Sequence, residues 1–155
     1  MKLQKQSGHH CLIYALAMAL DIDANTILEM LGHDGTDIWW PEKTEPLNFR
    51  GVHIQECIDV ATKMGHGLMP IEFCPMITPD MKVAPKQIWN DTECNVRFQN
   101  YLTGNIGVLI GERATPKGNF GHAVGWDGEN IYDPIGQIYG LDNEHFYIRE
   151  FWMLT

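Results

Sequence analysis

The chain is short of positive charge. Eleven lysines and arginines stand against twenty aspartates and glutamates, a formal net charge of −9. Binding nucleic acid requires Lys and Arg to neutralise phosphates, and no basic stripe gathers the few cations present. A nucleic-acid partner is therefore not expected, whereas a peptide or protein of basic character would be steered toward this surface. Long apolar runs are also lacking. The longest, residues 12–20, falls well below the roughly 20 residues that cross a bilayer, so no membrane partner is expected. Lys2 and Lys5 are separated from that run by polar and histidine residues, and no small-residue cleavage site follows it. A secretory signal is not expected, and a cytoplasmic protein is.

Cysteine pairs are missing too. Cys11, Cys57, Cys74 and Cys94 are widely spaced with no C-x-x-C among them, which argues against a structural zinc site or a redox motif. Without export the thiols are expected to stay reduced. His53 and Cys57 stand one helical turn apart, but no second ligand pair accompanies them, so a buried cysteine beside a surface histidine is the preferred reading. No metal and no cofactor is expected. Internal repeats and low-complexity tracts are absent as well.

What is present describes an ordinary globular chain: 155 residues, 45% hydrophobic and 20% charged, expected to form one domain over residues 1–155. Cys11 to Leu20 reads CLIYALAMAL, rich in Ala, Leu and Met and apolar on nearly every face, which predicts a helix running through a core. Asp21-Ile22-Asp23 stops it. A short helix over Thr26 to Leu31 follows, capped by Asp23 or Asn25 and closed by Gly32. The stretch from His33 to Arg50 reads as a long loop, in which Trp39-Trp40 could be core anchors, the preferred reading, or a substrate-contact ledge. Apolar positions from Val52 to Met64 recur at helical spacing up to Gly65. Leu68 to Phe73 reads as a strand, then a connection bearing Pro75, Pro79 and Pro85, then a helix from Glu93 to Leu102. Strands are expected at Gly107 to Gly111, Gly121 to Trp126, Asn130 to Asp133 and within Phe146 to Leu154. Asp127-Gly128 signals a hairpin between two of them. Helices lead and an antiparallel sheet follows, which is the α+β pattern.

Three residues from distant segments suit acyl-transfer chemistry. A nucleophilic cysteine reacts as the thiolate, which a helix N-terminus favours through free N–H groups and partial positive charge. Cys11 stands at such a start, behind Gly8-His9-His10, and the other cysteines lack that setting. His122 is a polar ring in a strand of small and apolar residues. Asp133 ends the next strand, and pairing through the Asp127-Gly128 turn would bring it to His122, where a carboxylate fixes the imidazole tautomer. An oxyanion needs donors. The backbone N–H of Cys11 is one candidate, and the side-chain amide of Gln6 or Gln4 is the other.

The segments Gln6-Ser7-Gly8-His9-His10-Cys11, Gly121-His122-Ala123-Val124-Gly125-Trp126-Asp127-Gly128 and Tyr132-Asp133-Pro134 resemble the papain-like cysteine peptidase superfamily. The nearest match is the bacteriocin-processing, double-glycine leader peptidase type, and the element order is similar from about Gln4 to Leu154. That resemblance implies Cys11 as nucleophile, His122 as base then acid, Asp133 as the group orienting it, and an upstream glutamine at the oxyanion hole. It departs at Leu12, where the family usually has glycine, and at the spacing of Gln6 and Gln4 from the cysteine. The expectation is a cysteine peptidase or related thiol hydrolase acting on a peptide, isopeptide or amide bond. The alternative is a catalytically silent module of the same fold that docks or sequesters a partner protein. A third, weaker reading makes His9-His10-Cys11 a metal site.

Overall fold

A computed structural model describes residues 1–72 and 93–155 of the chain. Phe73, Cys74 and the connection bearing Pro75, Pro79 and Pro85 lie outside the described residues. Among those described, four helices and six strands form an α+β arrangement: α1 (Cys11–Leu20), α2 (Ala24–Leu31), α3 (Ile54–Lys63), β1 (Leu68–Glu72), α4 (Glu93–Leu102), β2 (Gly107–Thr115), β3 (Gly118–Trp126), β4 (Ile131–Asp133), β5 (Gln137–Tyr139) and β6 (Phe146–Leu154). No single helix among them is long and apolar enough to cross a membrane.

The helices stop where local chemistry stops them. α1 ends at Asp21, which adopts the left-handed conformation (φ 57°) and returns its N–H to the last turn. Asp23 then caps α2 by accepting from the Asn25 N–H at 2.8 Å, and Gly32 closes that helix in the left-handed region. α2 therefore starts two residues earlier than its apolar pattern suggests, because the cap and not the first apolar residue sets the boundary. His53 caps α3, whose third residue, Glu56, reaches back to the His53 N–H.

The strands form one antiparallel sheet in the order β1-β6-β2-β3-β4-β5. β2 and β3 run well past the expected Gly107–Gly111 and Gly121–Trp126, joined by a two-residue turn between the paired Thr115 and Gly118. β2 also pairs with β6, with a bulge between Ile110 and Gly111. A Cβ on Gly111 would lie 1.8 Å from the Tyr147 carbonyl oxygen, so only glycine allows the two strands to close there.

Helices cover both faces of the sheet. α1 lies along β3, where the small residues Ala123 and Gly125 admit it; a Cβ on Gly125 would meet Met18 Cβ at 3.4 Å. Ile13, Leu16, Ile27, Val60 and Val108 fill this side. On the other face Phe98 and Leu102 of α4 pack with Leu109, Val124, Trp126, Phe146 and Phe151, and the Trp126 indole donates to the Leu102 carbonyl at 2.9 Å. The sequence places Trp39 and Trp40 in the core, and the structure corrects this: they are 52% and 37% exposed. Their loop is pinned by backbone bonds from both tryptophan N–H groups to the Asn48 carbonyl, leaving the rings stacked edge-on at the surface.

Candidate active site

Cys11 is the first residue of α1. His10 precedes it as N-cap without any side-chain capping bond, and its carbonyl accepts the first helical N–H, that of Tyr14, at 3.1 Å. The amides of the first turn thus point out of the helix end beside the sulfur. Cys11 is half-buried and free of any disulfide. Leu12, the residue after it, packs on the helical core and does not line the cleft, so it leaves the approach to the thiol open.

β3 carries His122 and β4 carries Asp133. Strand pairing matches Gly125 with Tyr132 and Trp126 with Ile131. One step further along, Asp133 falls level with Val124, two residues from His122 and on the same face, the diagonal position that long side chains bridge. His122 Nε2 lies 2.7 Å from Asp133 Oδ1. That leaves Nδ1 as the ring nitrogen available to the Cys11 thiol, which lies close enough to His122 to help raise it. The ring is 9% exposed and meets Phe146 edge-on at 6.1 Å.

Asp133 has no solvent exposure. Its Oδ1 also accepts from the Ile135 N–H at 3.1 Å, and its Oδ2 accepts from Arg113 Nη1 and from the Tyr139 hydroxyl, each at 2.6 Å. Burial pushes this carboxyl up, but the bonds from His122, Tyr139 and Ile135 win and hold it below the usual carboxylate range. For His122, burial likewise disfavours the charged ring. The hydrogen bonds to Asp133 and Cys11 outweigh it and lift the imidazole to about 9. Burial and the Asp133 charge push the Tyr139 phenol up, so it stays a donor.

Cys11, His122 and Arg113 open into a cleft of about 610 Å³. Gln6, His9, His10 and Cys11 form one wall, Arg113, Thr115, Phe120 and His122 of the β2–β3 hairpin another, and the loop carrying Asp34, Glu45, Pro46 and Phe49 a third. The two glutamines separate clearly. Gln4 spends its side chain on the α1–α2 corner, donating to the Ile22 carbonyl at 2.6 Å and accepting from the Ala24 N–H at 3.0 Å, which takes it out of the site. Gln6 lines the cleft, fixed by its own N–H to the Pro134 carbonyl at 2.7 Å, with its amide donating to Gly8 at 3.1 Å.

No family model matches the chain, and a search of curated proteins finds none similar to it. The geometry therefore carries the functional argument. Among the described residues no group of three or more His, Cys, Asp and Glu is arranged to hold a metal ion. His53 is an exposed helix cap, while Cys57 is buried in the helical core, where desolvation, with Glu56 beside it, pushes its thiol up to about 12. Sequence reasoning does not reach Arg113 and Tyr139. A signal existed for Arg113, which follows Gly111 at the strand period of two and so shares a face with His122.

Proposed function

We propose that the protein is a papain-like thiol hydrolase, a cysteine peptidase or related enzyme that cleaves a peptide, isopeptide or amide bond through a thioester. The observation that supports this is His122 held between the Cys11 thiol and a fully buried, ionised Asp133. The order of motifs, resembling the double-glycine leader peptidase type, agrees with it, although processing of a leader peptide is not implied. A peptide or protein substrate and a reducing, cytoplasmic setting go with the reading.

The chemistry balances within these residues. The Cys11 sulfur attacks the carbonyl carbon while His122 carries the proton. The resulting oxyanion takes hydrogen bonds from the Cys11 N–H and the Gln6 amide. The C–N bond breaks as the His122 proton passes to the leaving amine, giving the thioester and a neutral imidazole. His122 then removes a proton from water as it attacks the thioester carbon, and the C–S bond breaks to release acid and restore the pair.

Iodoacetamide labelling at neutral pH, read by peptide mass spectrometry, tests this. Cys11 is expected to react at least tenfold faster than Cys57, and His122→Ala should remove that advantage. Equal, slow labelling would overturn the reading. A second reading, a silent binding module, is favoured by one observation: Ile38, Trp39, Trp40 and Leu47 expose apolar surface on the loop that walls the cleft. Under that reading Cys11→Ala leaves the protein's effect on its partner intact, and under the first it abolishes it.

A further inference from the structure

The mechanism above uses one of the four donors on Asp133. Two of the others converge on the oxygen that His122 does not touch: Arg113 Nη1 and the Tyr139 hydroxyl both reach Oδ2. Arg113 belongs to the site by register as well as by contact. Gly111 pairs with His122 and Arg113 with Phe120, so Arg113 stands next along the His122 face of the β2–β3 ladder. Its side chain is 20% exposed and lines the cleft, while the carboxylate it holds is sealed off.

Charge bookkeeping over one turnover gives this contact a purpose. Before acylation the buried carboxylate faces an imidazolium. Once His122 has given its proton to the leaving amine, Asp133 faces a neutral ring inside protein, and an uncompensated buried charge is costly. A carboxylate with the imidazole as its sole cationic partner would hold that proton back, yet the neutral ring is what deprotonates water in the second half. We propose that Arg113 is a positioning residue acting through Asp133: its fixed charge keeps the carboxylate ionised and in place while His122 is neutral, and thereby favours thioester hydrolysis. Tyr139 supports the same oxygen without adding charge. The proposal rests on the thiol-hydrolase reading, but its first test does not.

The groups that bear on the pair are known. Cys11 of α1 and Asp133 of β4 touch His122, Arg113 of β2 and Tyr139 of β5 touch Asp133, and His9, His10, Asp34 and Glu45 line the same cleft. NMR titration of the His122 ring in the full chain reads the first effect. Arg113→Gln should raise its titration midpoint by about one unit, the size expected of a nearby charge. Arg113→Lys should return it close to the original value, and Tyr139→Phe should move it less than Arg113→Gln does. An unmoved or lowered midpoint in Arg113→Gln overturns the proposal.

Burst kinetics with p-nitrophenyl acetate read the second effect. In Arg113→Gln the deacylation limb should shift about one unit upward in pH while the acylation burst is retained. Equal slowing of both phases at every pH would mean a merely structural role and would sink the idea. Should Arg113→Gln fail to fold, the Arg113→Gln/Asp133→Asn double variant decides. A double variant no less stable than Asp133→Asn alone shows that Arg113 compensates the Asp133 charge, and one that is markedly less stable shows that it does not act through it. Absence of both a nitrophenol burst and selective Cys11 labelling would instead defeat the hydrolase reading, leaving the titration to judge Arg113 alone.

Discussion

Two clusters in this molecule use the same three chemical groups. In one, His122, Asp133 and Arg113 meet at 2.6 to 2.7 Å, with side-chain exposures of 8%, 0% and 20%. In the other, Glu56 meets Arg50 at 2.7 Å and His33 at 2.9 Å, each of the three 20% to 22% exposed. The second ties the loop after α2 to the start of α3, and Glu56 completes it by accepting the His53 N–H at 2.9 Å. Composition therefore does not separate the proposed reactive site from a brace. Two physical differences do. The carboxylate of the first is sealed from water, so its interaction with the imidazole is little screened, and a half-buried thiol at a helix N-terminus faces the same ring. Cys57, the residue after Glu56, is buried with its thiol pushed up to about 12, held away from ionisation.

The largest effect expected from this contrast is on turnover. With any amide or ester substrate the protein accepts, His122→Ala should lower kcat/KM by about 10³-fold or more, the scale of a lost general base within a triad. His33→Ala should stay within a few-fold. If the two variants lost activity alike, the brace would be part of the chemistry and the comparison would break.

The next effect is on stability against pH, and the two clusters act at opposite ends. His122 titrates near 9 in the folded chain and near 6.5 unfolded. Its contribution is fully present below about 6.5 and is lost as pH rises through 9. By linkage this is of order 3 kcal/mol, counted once for the whole coupled group. Glu56 behaves in the reverse sense. Burial opposes its charge, but bonds from Arg50, the His53 N–H and His33 bring it down to about 2. Its contribution is present above about 4.5 and fades as pH falls toward 2, and partial exposure trims it. Urea melts from pH 3 to 10 should show both legs. His122→Ala is expected to flatten the alkaline leg and Glu56→Gln the acid one. A flat alkaline leg in the unaltered protein would remove the electrostatic premise of the first cluster.

Much of the first cluster was legible in the sequence and little of the second. α1 declares itself by an unbroken helix-forming run, and that places Cys11 at its start without any tertiary information. The hairpin signal at Asp127-Gly128 brings β3 against β4, and period-two counting then sets Asp133 near His122. In the structure Asp127 makes that turn by accepting from the Glu129 and Asn130 N–H groups. Arg113 was overlooked because the apolar run that marks β2 ends at Gly111, although pairing with both β3 and β6 carries the strand on. Tyr139 sits on a three-residue strand too short to leave a periodic trace. The tryptophans misled for a different reason. Large aromatic rings usually enter a core, but the backbone of this loop closes on Asn48 and turns them outward, where cations cover their faces.

Those covered faces provide the smallest and sharpest test. The Arg50 guanidinium lies 5.3 Å from the Trp39 ring centre, and Lys43 lies 5.2 Å from that of Trp40. Arg50 thus serves the partly exposed Glu56 and the Trp39 ring together, and its own side chain is as exposed as that of Arg113. Arg113, by contrast, serves one sealed carboxylate. A double-mutant cycle on Trp39 and Arg50, read by urea unfolding, should give a coupling of at most about 1 kcal/mol. A coupling of several kcal/mol would mean that the exposed cluster is as tightly bound as the buried one. Solvent screening would then no longer distinguish the two clusters.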